Sequence, residues 1–231
     1  MSHILDRPVW SALTTQHAAL AEGGARARRY DPTIVPFAAT RDDSDASLAA
    51  LKALAAPGEE MVLAQAGNIV LPSGMAVLGA ADAVQMVLER PPPPRDDSHI
   101  MHLSDADAAE MLALATLTEP GPFTLRAQAL GAFFGVKEDG RLVAMAGERL
   151  KQDGFCEISG VCTHPDARGR GLARRLSVFM THRLIDRGET PYLHAYATNR
   201  AAIRLYESIG FTLRSLISVM AVRRKETAGT R

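Results

Sequence analysis

The sequence has 231 residues, and its 26 lysine and arginine side chains balance 26 aspartate and glutamate side chains, so the formal net charge is zero. The hydrophobic fraction of 47% is that of a globular chain with a buried core, which excludes fibrous and disordered classes. Charge balance argues against coating nucleic acid or an anionic membrane. No run reaches the roughly 20 apolar residues of a membrane helix, and the first ten residues lack a signal peptide's apolar core. We therefore expect a cytoplasmic protein with neither partner.

The chain contains two cysteines, Cys156 and Cys162, in one predicted strand. A single strand cannot fold back to join them in a disulfide. We therefore expect free thiols, as in a reducing compartment, and we interpret both side chains as small buried core residues.

A run of four prolines divides the sequence. The residues RPPPPRDD at 90–97 favour an extended polyproline conformation. We therefore predict an N-terminal α/β domain over residues 1–95 and a second domain over residues 96–231.

The N-terminal domain has weak patterns. Apolar spacing predicts helices over 8–21 and 47–56, with a loop between them. Residues 61–88 indicate short strands, or a strand plus a helix. Nothing in this half carries a catalytic signature.

The second domain shows a clear alternation of elements in the order β-α-β-β-β-α-β-α-β. Its predicted strands and helices, in chain order, are 100–103, 104–117, 131–137, 141–149, 155–163, a helix from 172 that stops at Gly188, 192–197, 199–209 and 211–223. This order predicts an α/β (α+β) fold with a sheet of mixed direction.

A glycine-rich turn precedes the predicted helix at 172. Gly169 and Gly171 allow backbone N–H groups to point outward together, and the helix adds the positive end of its dipole. Residues 164–188 hold six arginines against two aspartates. This arrangement suits a phosphate or pyrophosphate, although a tight turn before a solvated helix is the alternative because the GxGxxG and Gly-Lys-Ser/Thr patterns are missing.

Two ordered motifs resemble the GNAT acyl-CoA N-acyltransferases. The first is Arg168-Gly169-Arg170-Gly171-Leu172-Ala173, which is similar to the family's Arg/Gln-x-x-Gly-x-Gly/Ala loop. The second begins at Asn199 and continues through Ala202, Leu205-Tyr206 and Gly210-Phe211. The resemblance covers about residues 98–223 and implies a mixed, mostly antiparallel sheet flanked by helices. For the N-terminal domain, a degenerate copy of this fold is one alternative.

The resemblance also implies roles for individual residues. The pyrophosphate of acetyl-CoA would lie on the loop amides of Arg168, Gly169, Arg170, Gly171, Leu172 and Ala173. Backbone groups of Val161 and Thr163 would pair with the pantetheine arm, where the strand splays from its neighbour, and Asn199 would contact the cofactor. Tyr206 would return a proton to the departing thiolate, which suits a phenol. No metal is implied.

The proton acceptor is less defined. Glu157 falls where some family members hold a catalytic glutamate, and a salt-bridged glutamate is its alternative. Strand alternation places Glu157, Val161 and Thr163 on one face, and both cysteines on the other. His194, on the strand before Asn199, is a second candidate to touch the substrate or relay a proton.

We therefore predict an N-acetyltransferase. It would move an acetyl group from acetyl-CoA to a primary amine of a small molecule or peptide, by direct attack in a ternary complex. The alternative is a non-catalytic acyl-CoA-binding regulatory module. The N-terminal domain would cover the acceptor side of the second domain or support a homodimer.

Overall fold

A computed structural model describes residues 3–226. The described chain forms two compact units. The smaller unit comprises residues up to 32, residues 36–83 and residues from 215 onward, and the larger unit comprises Thr33–Val35 and Val84–Arg214. Within residues 3–226, no helix is both long and apolar enough to cross a membrane.

The units divide within two long strands, β5 (Met75–Leu88) and β11 (Phe211–Arg224). This differs from a single cut at residues 95 and 96. The proline run fixes only its local conformation, whereas hydrogen bonding of strand residues decides which unit a segment joins. The last residues of β5, from Val84 to Leu88, therefore belong to the larger unit although they precede the prolines.

The smaller unit contains more strand than the sequence indicates. Its elements are α1 (Pro8–Thr14), β1 (Ala21–Gly23), β2 (Ala27–Tyr30), β3 (Ala38–Thr40), α2 (Asp45–Leu54) and β4 (Glu60–Ala66), with the first part of β5 and the last part of β11. Strands β1, β2 and β3 form an antiparallel sheet where a loop was predicted. β4 pairs antiparallel with β11.

Helix α1 is shorter than predicted, and β5 is one continuous strand. The prediction of a helix over 8–21 is wrong after Thr14, since Thr15 has non-helical backbone angles (φ −125°, ψ −108°) and its amide bonds the Ala12 carbonyl instead of the Ser11 carbonyl. Residues 67–74, included among the predicted strands, form no named strand.

The larger unit has the predicted element order. Its elements after the end of β5 are β6 (Met101–Leu103), α3 (Ala108–Thr118), β7 (Phe133–Glu138), β8 (Arg141–Gln152), β9 (Phe155–Thr163), α4 (Leu172–Asp186), β10 (Thr190–Tyr196), α5 (Arg200–Ile209) and the start of β11. The strands lie in the order β11-β5-β10-β9-β8-β7-β6. Neighbours from β6 to β9 are antiparallel, and β9 pairs parallel with β10. The predicted α/β class with a mixed, mostly antiparallel sheet is confirmed.

Each face of this sheet has its own hydrophobic core. Ala144 and Ala146 of β8 pack in the core that contains Leu176 and Met180 of α4, and Met145 between them packs in the core that contains Met111 of α3. Because neighbouring strand residues point to opposite faces, α4 and α5 cover one face and α3 covers the other. We call these the α4 face and the α3 face.

A bulge in β9 reverses its alternation. Gly160 has φ +63°, and the pairing of β8 with β9 shifts register at this point. Cys156 packs in the α4-face core, whereas Cys162 packs in the α3-face core, so the prediction that the two cysteines share a face is wrong. Val161 likewise packs against the α4-face core, on the opposite face from Glu157. An extra residue in one strand has this effect because the side-chain period is two.

Phe133 fixes this region of the sheet. Its ring meets two glycines on neighbouring strands, since a Cβ at Gly147 would lie 2.3 Å from the ring and a Cβ at Gly160 would lie 3.0 Å from it. The Phe123 ring packs edge-on against the Phe133 ring, and their centroids are 5.5 Å apart. Only glycine leaves room for the ring at Gly147.

Gly147→Ala is therefore expected to lower the free energy of unfolding by about 1–3 kcal/mol, because the methyl group overpacks a filled core. The matched control is Gly79→Ala in β5, where a Cβ meets nothing within 4 Å. That control should change stability by less than about 1 kcal/mol. Urea unfolding of both variants measures the difference, and equal effects would contradict this account of Phe133.

Candidate functional site

The parallel pairing of β9 with β10 stops before either strand ends. It joins Thr190–Leu193 to the residues from Phe155 to Ile158, and the described residues show no further pairing between the two strands. β9 continues to Thr163 and β10 continues to Tyr196. The backbone of residues 159–163 therefore presents hydrogen-bonding groups toward this opening, which an extended ligand can bind as a strand would.

The two residues predicted to pair with a pantetheine arm lie at this opening. Val161 is half-buried against the α4-face core. The Thr163 hydroxyl is buried, and it has no hydrogen-bond partner within residues 3–226. An orphaned buried hydroxyl is costly unless a ligand or water satisfies it. Its position therefore fits a polar ligand along β9.

The glycine-rich loop lies directly after β9 and opens α4. Gly169 has φ +78° and Gly171, the N-cap residue of α4, has φ +75°. A Cβ built at either glycine meets nothing within 4 Å, so the space in front of the loop is open. Backbone amides and the N-terminal dipole of a 15-residue helix converge there, which is the arrangement that binds phosphate.

The side chain of Arg170 is held in an ion pair with Glu138. Its guanidinium forms two hydrogen bonds of 2.9 and 2.6 Å with the Glu138 carboxylate, at the turn between β7 and β8. Both side chains are exposed. Arg170 can therefore supply its backbone amide to a ligand while its side chain ties the loop to that turn.

Asn199 and Tyr206 both belong to the region of α5. The Asn199 side chain accepts a hydrogen bond of 3.1 Å from the Ala202 amide and so caps the helix. Tyr206 is 8% exposed and packs in the α4-face core, with its ring at an edge to Phe211. Burial raises the pKa of Tyr206 to about 12, so the phenol keeps its proton at neutral pH. A group in this state can donate a proton but is a poor acceptor.

Glu157 is fully buried and ionised. Its carboxylate accepts hydrogen bonds of 2.9 and 2.6 Å from the Arg149 guanidinium and one of 2.7 Å from Nδ1 of His194. Burial raises the pKa of Glu157, but the Arg149 charge and these hydrogen bonds lower it further, to about 2. A carboxylate in this state has little tendency to take a proton from an ammonium group.

Glu157 belongs to a polar row that crosses five neighbouring strands. In sheet order its members are Arg214 of β11, Gln85 of β5, His194 of β10, Glu157 of β9 and Arg149 of β8. The Arg214 guanidinium donates to the Gln85 side-chain oxygen, and the Gln85 amide nitrogen lies 2.9 Å from Nε2 of His194. Sequence reasoning missed Arg149, Gln85 and Arg214. Gln85 is 109 residues from His194 and 129 from Arg214, so no local spacing could reveal Gln85 or Arg214. Arg149 lies only eight residues from Glu157, across the predicted β8–β9 hairpin, and the pairing of those two strands was the signal that could have found it.

The loop between α3 and β7 lies next to this row. A Cβ on Gly121 would lie 3.6 Å from the Arg149 guanidinium, and the Phe123 ring approaches Gly160. The Thr124 hydroxyl donates to the Ile34 carbonyl at 2.7 Å, and this tie holds the loop in place. The larger unit thus brings together the glycine-rich loop, the opening after Leu193 and the polar row.

Comparison with known proteins identifies the family. The FR47-like protein family matches residues 133–219. A GNAT-family protein of known structure from Novosphingobium aromaticivorans DSM 12444 is 41% identical over 97% of this chain and 100% of its own, with a TM-score of 0.91. The chain therefore belongs to the GNAT family, as the two sequence motifs predict. A GCN5-related N-acetyltransferase from Kribbella flavida, 16% identical with a TM-score of 0.62 over 98% of both chains, has the same fold.

The curated relatives are longer proteins. Mycothiol acetyltransferase from Thermomonospora curvata is 40% identical over 88 residues, which are 38% of this chain and 29% of that protein. The chain thus spans less than a third of the length of the relative it matches.

The buried carboxylate gives a test in solution. Glu157→Gln should lower the free energy of unfolding at pH 7 by about 3–5 kcal/mol, because it removes the carboxylate charge that pairs with the buried Arg149 guanidinium. The lowered pKa of Glu157 means that its contribution is complete above about pH 4.5 and is lost as the pH falls toward about 2. The difference in the free energy of unfolding between wild type and Glu157→Gln, measured by urea unfolding, should therefore become smaller below pH 4.5.

The control is Glu138→Gln, which breaks the exposed pair with Arg170 and should have a much smaller effect at every pH. If the free energy of unfolding of Glu157→Gln differs from that of the wild type by the same amount at pH 3 and pH 7, the assignment of an ionised, paired Glu157 is contradicted.

Proposed function

We propose that this protein transfers an acetyl group from acetyl-CoA to a primary amine of a small molecule or peptide, by direct attack in a ternary complex. The observation that carries this proposal is the end of the β9–β10 pairing at Leu193, followed along β9 by an open glycine-rich loop at the start of α4. The opening offers one backbone edge for an extended arm, and the loop offers amides for a charged group at the end of that arm. Family membership and the names of the curated relatives support acetyl transfer.

The contacts proposed for acetyl-CoA follow from this arrangement. The pyrophosphate lies on the loop from Arg168 to Ala173 and binds the backbone amides of Gly169, Arg170, Gly171, Leu172 and Ala173, because the Arg168 amide donates to the Pro165 carbonyl at 3.2 Å. The pantetheine arm runs along Val161 and Thr163, where it satisfies the buried Thr163 hydroxyl. Asn199 contacts the cofactor from the start of α5. All of these residues lie in the larger unit.

The chemistry needs no acyl-enzyme. The neutral amine attacks the thioester carbonyl, the C–S bond breaks with its electron pair on sulfur, and Tyr206 supplies the proton that the thiolate takes up. The two cysteines do not act as nucleophiles, because both are buried and burial raises the pKa of both thiols. Their unpaired state supports the proposal of a cytoplasmic protein.

Acetyl-CoA should raise the melting temperature. At 100 times its dissociation constant a ligand adds about 2.7 kcal/mol, which corresponds to roughly 5–10 °C for a chain of this length. Gly171→Glu should abolish the shift, because it adds a charged side chain in the open space in front of the loop. Gly188→Glu is the matched control, since Gly188 also has positive φ and open space but follows the other end of α4. No shift with wild type, or an equal shift with Gly171→Glu, would refute the binding site.

Tyr206→Phe should lower kcat by about 100-fold or more, because it removes the proposed proton donor. The dissociation constant of acetyl-CoA should change little, since the aromatic ring remains in the α4-face core. Steady-state transfer to a panel of primary amines and calorimetric binding of acetyl-CoA measure the two effects. Unchanged kcat would remove Tyr206 from the mechanism. Acetyl-CoA binding without transfer to any amine would instead favour a regulatory module.

A further inference from the structure

We propose that His194, and not Glu157, takes the proton from the acceptor amine, with Glu157 as the residue that positions its imidazole ring. This inference rests on the proposed acetyl transfer and deepens it. Three features of His194 support it: its place at the opening, the hydrogen bonds at both of its ring nitrogens, and the face of the sheet on which it lies.

His194 lies where the paired part of the sheet ends. Leu193 and Ile158 form the last pair between β10 and β9, and His194 is the next residue on β10. The bulge at Gly160 lies just beyond the same point on β9. The reacting end of an acetylated arm that runs along β9 from the glycine-rich loop therefore arrives next to the His194 ring. Glu157, one residue earlier on β9, is 0% exposed.

The two ring contacts of His194 define one tautomer. The ionised Glu157 carboxylate can only accept, so Nδ1 carries a proton and donates it at 2.7 Å. Arg214 binds the Gln85 side-chain oxygen, so the Gln85 amide nitrogen faces Nε2 at 2.9 Å and donates to it. Nε2 is therefore the unprotonated nitrogen. A buried carboxylate that fixes the tautomer of a histidine base is the arrangement used by catalytic triads.

An N–H donor already occupies the lone pair of Nε2. The N–H group of Gln85 lies at the distance that an amine would adopt when it transfers a proton. The proposal requires the acceptor amine to replace the buried Gln85 amide at this nitrogen when it binds. The imidazole has an edge contact with Tyr192, and the charged groups in its hydrogen-bonded row are Glu157, Arg149 and Arg214.

His194 and Tyr206 approach the opening from opposite faces. Leu193 and Ala195 both pack with the α4-face core, which contains Tyr206. His194 lies between them on the strand, so its side chain points to the α3 face. The amine can therefore lose its proton on one face of the sheet while the sulfur gains a proton on the other.

The proposed step balances. An ammonium group gives one proton to Nε2 of His194, and the freed nitrogen lone pair forms a bond to the acetyl carbon. The C–S bond breaks with its pair on sulfur, which takes a proton from Tyr206. The nitrogen that is now bonded to the acetyl carbon releases its extra proton, and the His194 imidazolium releases one as well. One of these two protons restores Tyr206. The net products are the acetamide, CoA with a free thiol, and one proton in solvent.

The tautomer can be measured without any substrate. Long-range ¹H–¹⁵N NMR of the wild type at pH 7.5 should show a protonated Nδ1 and an unprotonated Nε2, with the signal assigned by its absence from His194→Asn or, equally, from His194→Ala. Glu157→Gln should weaken this preference, because a neutral amide binds Nδ1–H less strongly than a carboxylate does. A protonated Nε2 in the wild type would overturn the proposal.

The matched catalytic variant is His194→Asn. Its amide nitrogen can still donate to Glu157, but it has no nitrogen at the position of Nε2. With acetyl-CoA and a panel of spermidine, tyramine, L-lysine and a peptide with a free N-terminus, kcat should fall about 100-fold or more. Acetyl-CoA affinity should change by less than about 3-fold. Imidazole added to His194→Ala should restore part of the rate.

The outcomes separate this inference from the function on which it rests. Transfer by the wild type with equal kcat in a folded His194→Asn overturns the role of His194 and leaves acetyl transfer intact. No transfer by the wild type to any amine overturns both. If His194→Asn does not fold, imidazole rescue of His194→Ala and the NMR tautomer decide the question, and failure of either overturns the proposal.

Discussion

The early end of the pairing between β9 and β10 is the constraint on which the rest of the site depends. Parallel pairing stops at Leu193, while β9 runs on to Thr163 and then directly into the glycine-rich loop. The bulge at Gly160 turns Val161 to the α4 face. One interruption therefore leaves a backbone edge of β9 without a strand partner, and that edge leads to the glycine-rich start of α4 and lies beside His194, the member of the polar row on β10. If β9 and β10 paired along their whole length, this backbone edge would be occupied and the opening would be closed.

The polar row explains how a buried glutamate is tolerated at this interruption. Burial of an unpaired carboxylate would cost several kcal/mol, so Glu157 is stable here only with Arg149 and His194 as partners. The same contacts fix the geometry of the imidazole, since each strand contributes one member and the sheet holds the members in register. The charge that satisfies Glu157 also removes it as a proton acceptor. This loss is the reason why the proposed proton acceptor is the neighbouring His194.

Much of the larger unit could be predicted from its sequence, because its signals are local. The turn between β7 and β8 needs Gly140 at positive φ, and α4 begins at a glycine and ends at another. Each of these residues decides its own backbone within a few positions, so the order of elements was correct. The smaller unit gave weaker signals. Its strands β1–β3 have only three or four residues each, too few to show a period of two.

The sequence by itself determined the glycine-rich loop, the helix that follows it and the family, since all three depend on residues that are near one another in the chain. Only the tertiary structure decided the faces of β9 and the partners of Glu157. Strand alternation predicts a face correctly until a bulge intervenes, and the bulge at Gly160 depends on packing against Phe133. His194 is 37 residues from Glu157 and Gln85 is 109 residues from His194, so only the folded sheet brings these three side chains together. A carboxylate's role follows from its partners, and partners distant in sequence are set by topology.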